Sequence, residues 1–438
     1  MSAAIVMLAA ACGNSGSSGK SDSTIPQNNG ATPTTFGDLT KKVPSSEQGV
    51  TDSEIKVNAV ITESNSPVGS YGPFADGIKA YFKMINDGGG IYGRKLTLTK
   101  VYDDLLGQNA QAVTKALADK TFATFGAATL FTGATLLARA NQPTFIWNIN
   151  PEMAGKNNIF GNTGAICFKC PSHFQPFIAK QLNATKIGII AYGVSQESKD
   201  CAAGARNSFT KYLPTSKVVF FDDSLPFAAN LSSDVSQMKA KGVQYIATCI
   251  DFNESFALGK EMQRQGLKAV QQLPNAYDPA FMAQNASVMQ DSIVSVLFAA
   301  DEDQPQIDEI KKFHEWTDKI GVQAKELTRF GWIDADQFVT GLKLAGPEFT
   351  QQKVIDGLNG LTAYTDNGFN PPIDWTKQHN DPLKDPTALS KLDCSNYVKV
   401  DQGKFVAVYD QTGKQFTCFN RSDPNVDNPQ YTTFVPGS

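Results

Sequence analysis

A strand, a helix and a second strand fill the stretch from Glu54 to Asp104, and this unit narrows the possible folds more than any other part of the chain. Ile55 to Ile61 reads as an apolar-rich strand, followed by a loop rich in Ser, Pro and Gly that ends at Ser70-Tyr71-Gly72-Pro73. Phe74, Ile78, Tyr81, Phe82 and Ile85 then recur at the spacing that places them on one helical face. Asn86-Asp87-Gly88-Gly89-Gly90 stops that helix, because glycine accepts the left-handed geometry a helix end requires. Lys95 to Val101 forms the second strand and leads into Asp103-Asp104. This succession predicts a right-handed crossover in a parallel sheet. Gly88, Gly90 and Gly93 also satisfy the G-x-G-x-x-G spacing, but they follow a helix and precede a strand. A pyrophosphate-binding turn needs the opposite order, so these glycines read as a helix stop and a turn, and no cofactor is expected.

The alternation continues along the chain. Asn109 to Leu117 reads as a helix, Phe122 to Gly126 as a strand, the segment from about Thr132 through Ala140 as a helix and Pro143 to Trp147 as a strand. Near Cys167 to Pro176 the pattern leaves this first series. A second begins with the strand Lys186 to Tyr192 and the helix Gln196 to Leu213. It continues with the strand Val218 to Phe221, a helix about Asp234 to Lys239, the strand Val243 to Ile250 and the helix Ser255 to Gln265. Ser292 to Ala299 is expected to cross back to the first series, which Ile307 to Trp316 and Ile333 to Leu344 complete as helices. Two series of alternating strands and helices predict an α/β fold with two lobes, each a mainly parallel sheet flanked by helices and joined by a hinge. The expected division gives residues 51–172 and 300–374 to one lobe, 173–299 and 375–432 to the other.

Net charge is −4 and no basic cluster stands out, so nucleic acid is not an expected partner. No apolar run reaches the roughly 18–20 residues that span a bilayer. Ala3 to Ala11 is a short apolar segment ending in small residues at Cys12. It resembles a bacterial lipoprotein signal (residues 1–12), with Cys12 as the acylated residue and the outer face of the cell membrane as the location. Residues 13–50, rich in Ser, Gly, Thr, Asn and Pro, read as a flexible tether. Apart from Cys12 there are six cysteines, Cys167, Cys170, Cys201, Cys249, Cys394 and Cys418, and an even count in an exported chain favours disulfides. Cys394 and Cys418 flank an apparent hairpin and are the expected pair; the others stay open. The Cys167-x-x-Cys170 spacing lacks a second pair or a histidine cluster, so a metal is not expected there.

Catalytic patterns are not found: the three histidines share no metal spacing, and no G-x-S-x-G elbow or P-loop occurs. Asp103-Asp104 and Asp222-Asp223 read as solvated turn residues rather than shared-proton pairs. Binding is better supported. Ligands of open α/β sheets sit beyond the carboxyl ends of the strands, and in a two-lobed chain those ends face each other across a cleft. Tyr71, Thr129, Leu130, Phe131, Thr132, Asn148, Asn150, Gln196, Asp251, Phe252, Asn275, Tyr277, Phe330 and Trp332 fall there. Aromatic area with a few amides and hydroxyls suits a small molecule. The loop feeding the helix near Thr132 adds a candidate anion cradle of backbone N–H groups.

Gly88-Gly89-Gly90-Ile91-Tyr92-Gly93-Arg94-Lys95-Leu96, followed by Tyr102-Asp103-Asp104, resembles the signature of ABC-transporter solute-binding proteins of the branched-chain amino acid type, with the type I periplasmic-binding-protein fold. The similarity runs from about Glu54 to about Tyr431. It implies a monomeric protein that is not an enzyme, that captures a small organic ligand by hinge closure and that delivers it to the permease of an ABC importer. A sensing module using the same fold is the alternative. The family's first-loop tyrosine falls on Tyr71 and its late aromatic on Phe330, while its serine-rich carboxylate loop falls on Thr129 to Thr132. Its next contact region falls on Asn148 to Asn150, and its second-lobe aromatic on Asp251 or Phe252. Its acidic partner for a ligand ammonium falls on the neutral Asn275, which leaves open a branched-chain or other amino acid, an aromatic compound or an amide.

Overall fold

The computed structural model describes residues 32–33, 35–149, 153–409 and 414–434. The first sheet takes β1 (Glu54–Ile61), β2 (Lys95–Asp103), β3 (Ala123–Ala127), β4 (Thr144–Ile146) and β5 (Ile159–Gly161) in the order β2-β1-β3-β4-β5, all parallel. Three helices connect them: α1 (Pro73–Asp87), α2 (Asn109–Ala118) and α3 (Ala134–Ala140). α1 begins at its proline, whose fixed φ suits a first helical position. Its end behaves as the glycine run predicts. Gly89, Gly90 and Gly93 have φ of 106°, 81° and 71°, and a side chain at Gly90 would meet the Arg94 carbonyl at 2.1 Å.

The second series follows: α4 (Phe174–Gln181), β6 (Lys186–Tyr192), α5 (Gln196–Tyr212), β7 (Lys217–Leu225), α6 (Ser232–Lys241), β8 (Tyr245–Cys249) and α7 (Phe252–Gln265). Next come β9 (Val270–Leu273), α8 (Pro279–Gln284), α9 (Ala286–Met289) and β10 (Ile293–Val296). The chain then supplies α10 (Asp308–Ile320), α11 (Glu326–Ala345) and α12 (Gln351–Asn359) before β11 (Leu392–Asp401), β12 (Lys404–Ala407), β13 (Phe416–Asn420) and β14 (Gln430–Thr432). The second sheet has the order β14-β13-β11-β10-β9-β8-β6-β7, with β12 on β11. Strands β6 to β10 are parallel, and β11 to β14 add an antiparallel extension.

Two expectations shift here. Ser292 to Ala299 does not simply cross between lobes, because its first half is β10, paired parallel to β9 and antiparallel to β11. Nor does the chain return to the second sheet at Trp375. Trp375 and His379 pack at 5.1 Å on Phe160 of β5, and the next strand of the second sheet is β11. Asp104 is a third departure: it is fully buried, its carboxylate accepting from the Leu106 N–H at 2.9 Å and the Asn109 amide at 2.8 Å. The second of two neighbouring acids faces inward, where it orders the turn before α2.

The largest core joins the first sheet to α1 and α11 and continues through Tyr277, Phe298, Phe369 and Phe405 to the edge of the second sheet. α11 is buried nearly all round, as expected of a helix inside a domain rather than on its surface. It crosses α1 at two glycines. A side chain at Gly77 would lie 1.9 Å from the Thr328 carbonyl oxygen, and one at Gly331 would lie 1.9 Å from that of Phe74. This close backbone approach fixes α11, and hence the two α11 side chains that enter the cleft, against the loop that precedes α1. Smaller cores cover the two faces of the second sheet.

Candidate functional site

The parallel strands of both sheets end at one cleft, with a cavity of about 380 Å³. From the first sheet, the loop after β1 brings Val68 and Tyr71, the end of β3 brings Ala128 to Phe131, and the end of β4 brings Trp147 and Asn148. α11 adds Glu326 and Phe330. Tyr192 ends β6 and Ser195 and Glu197 lie beyond it, Ile250 and Asp251 come from beyond β8, and Pro274 and Asn275 from beyond β9. The crossover after β5 supplies Asn162, Thr163 and Phe168. At the rim the Asn253 amide donates across the cleft to the Pro67 carbonyl at 3.3 Å.

The two walls differ in chemistry. On the first, Tyr71 meets Trp147 edge-on at 5.3 Å, and Trp147 stacks on Phe330 at 6.0 Å with a 24° interplanar angle. The Tyr71 N–H donates to the Thr62 carbonyl at 2.8 Å, closing the loop that carries the ring. On the second wall, Asp251 caps α7, its Oδ1 accepting from the N–H groups of Asn253 at 2.8 Å and Glu254 at 3.2 Å. Its Oδ2 accepts from the Tyr192 hydroxyl. Burial raises the Asp251 carboxyl above its ordinary value, and these hydrogen bonds oppose the shift. Burial followed by the Asp251 charge raises the Tyr192 phenol. Burial also pushes Glu326 up to about 7, although its Oε2 accepts from the Tyr277 N–H at 2.9 Å. Both amide atoms of Asn162, a residue 1% exposed, lack a hydrogen-bond partner, as does Oε1 of Gln272.

Eight of the residues expected at the site line this cavity: Tyr71, Thr129, Leu130, Phe131, Asn148, Asp251, Asn275 and Phe330. Thr132 and Gln196 line an adjoining space of about 290 Å³ that shares Thr129 to Phe131. Asn150 and Cys12 lie outside the described residues. Three aromatics point elsewhere. Trp332 lies two residues beyond Phe330, about 200° around the helix; it is fully buried between Tyr81 at 4.8 Å and Phe313 at 5.6 Å. Tyr277 is stacked on Phe405 at 4.7 Å and donates to Glu302 at 2.7 Å. Phe252 packs on Phe281 at 4.5 Å. The anion cradle is also partly taken, since the Thr129 N–H donates to Thr62 Oγ1 at 3.0 Å and the Gly133 N–H to Asn109 Oδ1 at 2.8 Å. Asn275 has φ of 55°, a backbone position that asparagine tolerates well, so conformation gives one reason for that residue type.

Trp147, Tyr192 and Glu326 are site residues that the sequence expectations lacked. Trp147 and Tyr192 each end or follow a recognised strand, so the strand-end rule could have found them. Glu326 carried only the weak signal of an acid in a first helical turn. The disulfides are Cys167–Cys170, Cys201–Cys249 and Cys394–Cys418. The expected Cys394–Cys418 pair joins β11 to β13 at directly opposed positions. Cys201–Cys249 ties α5 to the end of β8, two residues before Asp251.

The periplasmic binding protein family model matches residues 54–395. The chain belongs to that family. Its members act outside the cytoplasm, where disulfides persist. Among the described residues of this binding protein no helix is long and apolar enough to cross a membrane. Solved structures share its fold. A fatty acid ABC transporter substrate-binding protein from Thermomonospora curvata is 18% identical, covering 86% of this chain and 95% of that one at a TM-score of 0.69. A branched-chain amino acid transporter substrate-binding protein from Streptococcus pneumoniae, in complex with isoleucine, is 15% identical, covering 87% and 100% at 0.68. An ABC transporter solute-binding protein from R. palustris, in complex with 4-hydroxybenzoate, is 17% identical, covering 85% and 98% at 0.65. No curated protein matches the binding protein's sequence at a significant level.

Proposed function

We propose that this protein is the extracytoplasmic solute-binding component of an ABC importer, holding a small organic ligand between its lobes and presenting the closed form to the permease. The observation that carries this reading is the cavity at the facing strand ends, with three aromatic rings on one wall and Asp251, Tyr192 and serine hydroxyls on the other. A ligand touching both walls stabilises the closed state relative to the open one; a ligand touching one wall would not shift that balance. The solved relatives with isoleucine and 4-hydroxybenzoate support small apolar-bodied ligands for a cleft of this kind. Cys12 is proposed as the lipid attachment point, residues 13–50 as the tether and a monomer as the working form. The lobe division is proposed as read from the sequence, with its second crossing moved beyond His379, which packs on Phe160 of the first sheet.

Thermal-shift measurements on the full chain test this, after unfolding and refolding to strip carried-over ligand. The panel holds aliphatic and aromatic amino acids, aromatic acids, amides and amines. A true ligand at about 100 times its dissociation constant stabilises the fold by about 2.7 kcal/mol. Stabilisation that is lost in Trp147→Ala supports capture in this cleft. A ligand whose effect survives Trp147→Ala binds elsewhere and overturns the assignment.

A further inference from the structure

The cleft carries acids and no base. Among its described lining residues are Glu197, Asp251 and Glu326 but no Lys, Arg or His. The basic side chain in the adjoining space, Lys169, is already paired with Asp200 at 2.9 Å. A carboxylate entering this cavity would therefore lose its hydration without meeting a cation, against the field of the acids. Two backbone N–H groups of the 129–133 turn are already held, by the Thr62 and Asn109 side chains, which leaves the turn fewer donors for an anion.

The same surroundings favour a positive charge. Asp251 is held in place by its two capping bonds and the Tyr192 hydroxyl, all of them neutral donors, so its charge is oriented but not neutralised. Carboxylate oxygens keep further lone pairs after such bonds. Facing it are Tyr71, Trp147 and Phe330, packed as a continuous aromatic wall. Ring faces attract ammonium groups, tryptophan most strongly, and the attraction grows when water is excluded. Both buried arginines among the described residues are committed elsewhere: Arg94 donates to the Thr51, Tyr92 and Val43 carbonyls, and Arg329 lies over Tyr277 and Phe313 and pairs with Asp301 at 2.6 Å. Burial raises both Asp251 and Glu326; the Arg329 charge only partly offsets the shift at Glu326, and hydrogen bonds from neutral donors are what oppose it at Asp251.

Building on the capture reading above, we propose that the ligand is an organic cation, an amine or quaternary ammonium with an apolar body and no carboxylate, seated between the Tyr71–Trp147–Phe330 wall and Asp251. The aromatic wall takes the body and one face of the charge; Asp251 supplies the counter-charge from the opposite lobe, so that binding and closure are coupled.

Isothermal titration of the refolded full chain with matched probes tests this. One series is isoamylamine, leucine and 4-methylpentanoate; the other is phenethylamine, phenylalanine and 3-phenylpropanoate, with the trimethylated phenethylammonium added. In at least one series the amine or ammonium binds tenfold or more tightly than its zwitterion and its acid. Asp251→Asn, which keeps a good helix cap while removing the charge, weakens the cation at least tenfold and a neutral ligand by a smaller factor. Equal or tighter binding of a zwitterion or acid overturns the proposal while leaving solute capture intact. Silence from every cation in both series also overturns it, and the broader thermal-shift panel then decides separately whether the cleft captures any solute.

Discussion

The close crossing of α1 and α11 leads to a quantitative test with Gly331→Ala. A methyl at this position would start 1.9 Å from the Phe74 carbonyl oxygen and 2.9 Å from its carbon, whereas ordinary van der Waals contact begins at 3.4 Å. Backbone cannot swing aside as a side chain can, so the helices must part locally by about 1.5 Å. Overpacking of that kind costs about 1–3 kcal/mol, with rigid backbone placing this site near the top of the range. Alanine returns about 1 kcal/mol through its helix propensity, leaving a net loss of about 2 kcal/mol. For a lobe of this size that is a fall of about 4–8 °C in melting temperature. Phe330 precedes the substituted residue and faces the cleft, so ligand affinity falls as well. Gly107→Ala is the control, because nothing lies within 4 Å of a side chain there, and it should stay within about 0.5 kcal/mol of wild type. Calorimetry and ligand titration of the two variants decide the matter. A Gly331→Ala protein that melts and binds as wild type would refute the claim that this crossing positions the site.

Three further outcomes are expected. Trp332→Ala removes a fully buried ring and leaves Oε1 of Glu309 without the indole N–H it accepts from at 3.0 Å; it should cost about 3–5 kcal/mol in denaturant unfolding, whereas a cleft residue would cost far less. Glu326 has a folded value raised to about 7 from 4.5, so the folded state holds its proton more tightly and stability falls as pH rises from about 4.5 through 7. Measured without ligand, Glu326→Gln should gain up to about 3 kcal/mol on the wild type across that window, and a pH-independent difference would remove Glu326 from the account. Replacing Cys201 and Cys249 by serine opens a link across 48 residues and should cost up to about 4 kcal/mol, read as a lower unfolding midpoint with an equal or steeper slope, because the freed denatured chain exposes more surface.

Much of the fold is visible in the chain because local and global signals agree. The run from Lys186 to Tyr192 is a strand at the bounds its apolar pattern suggests, and the glycines after Asp87 stop a helix where they should. The short β5 and the helix α4 escaped because three buried residues, or eight with a proline in the first turn, carry too little periodicity. Strand ends located the cleft, but not which aromatics turn into it. Phe330 and Trp332 share one helix, and only the packing of α11 against α1 and α10 decides that the first faces the ligand and the second the core. Trp147 shows the converse, a residue overlooked because it stood at the end of a strand rather than in a loop. Glu326 joins Asp251 and Glu197 at the cavity only because α11 buries it there, which no local pattern encodes.

The most direct measurement is a crystal structure of the protein with the strongest compound from the binding screens. The account predicts ligand density between the Tyr71–Trp147–Phe330 wall and Asp251, with contacts to both lobes. Density outside this cleft, or contacts confined to one lobe, would contradict it.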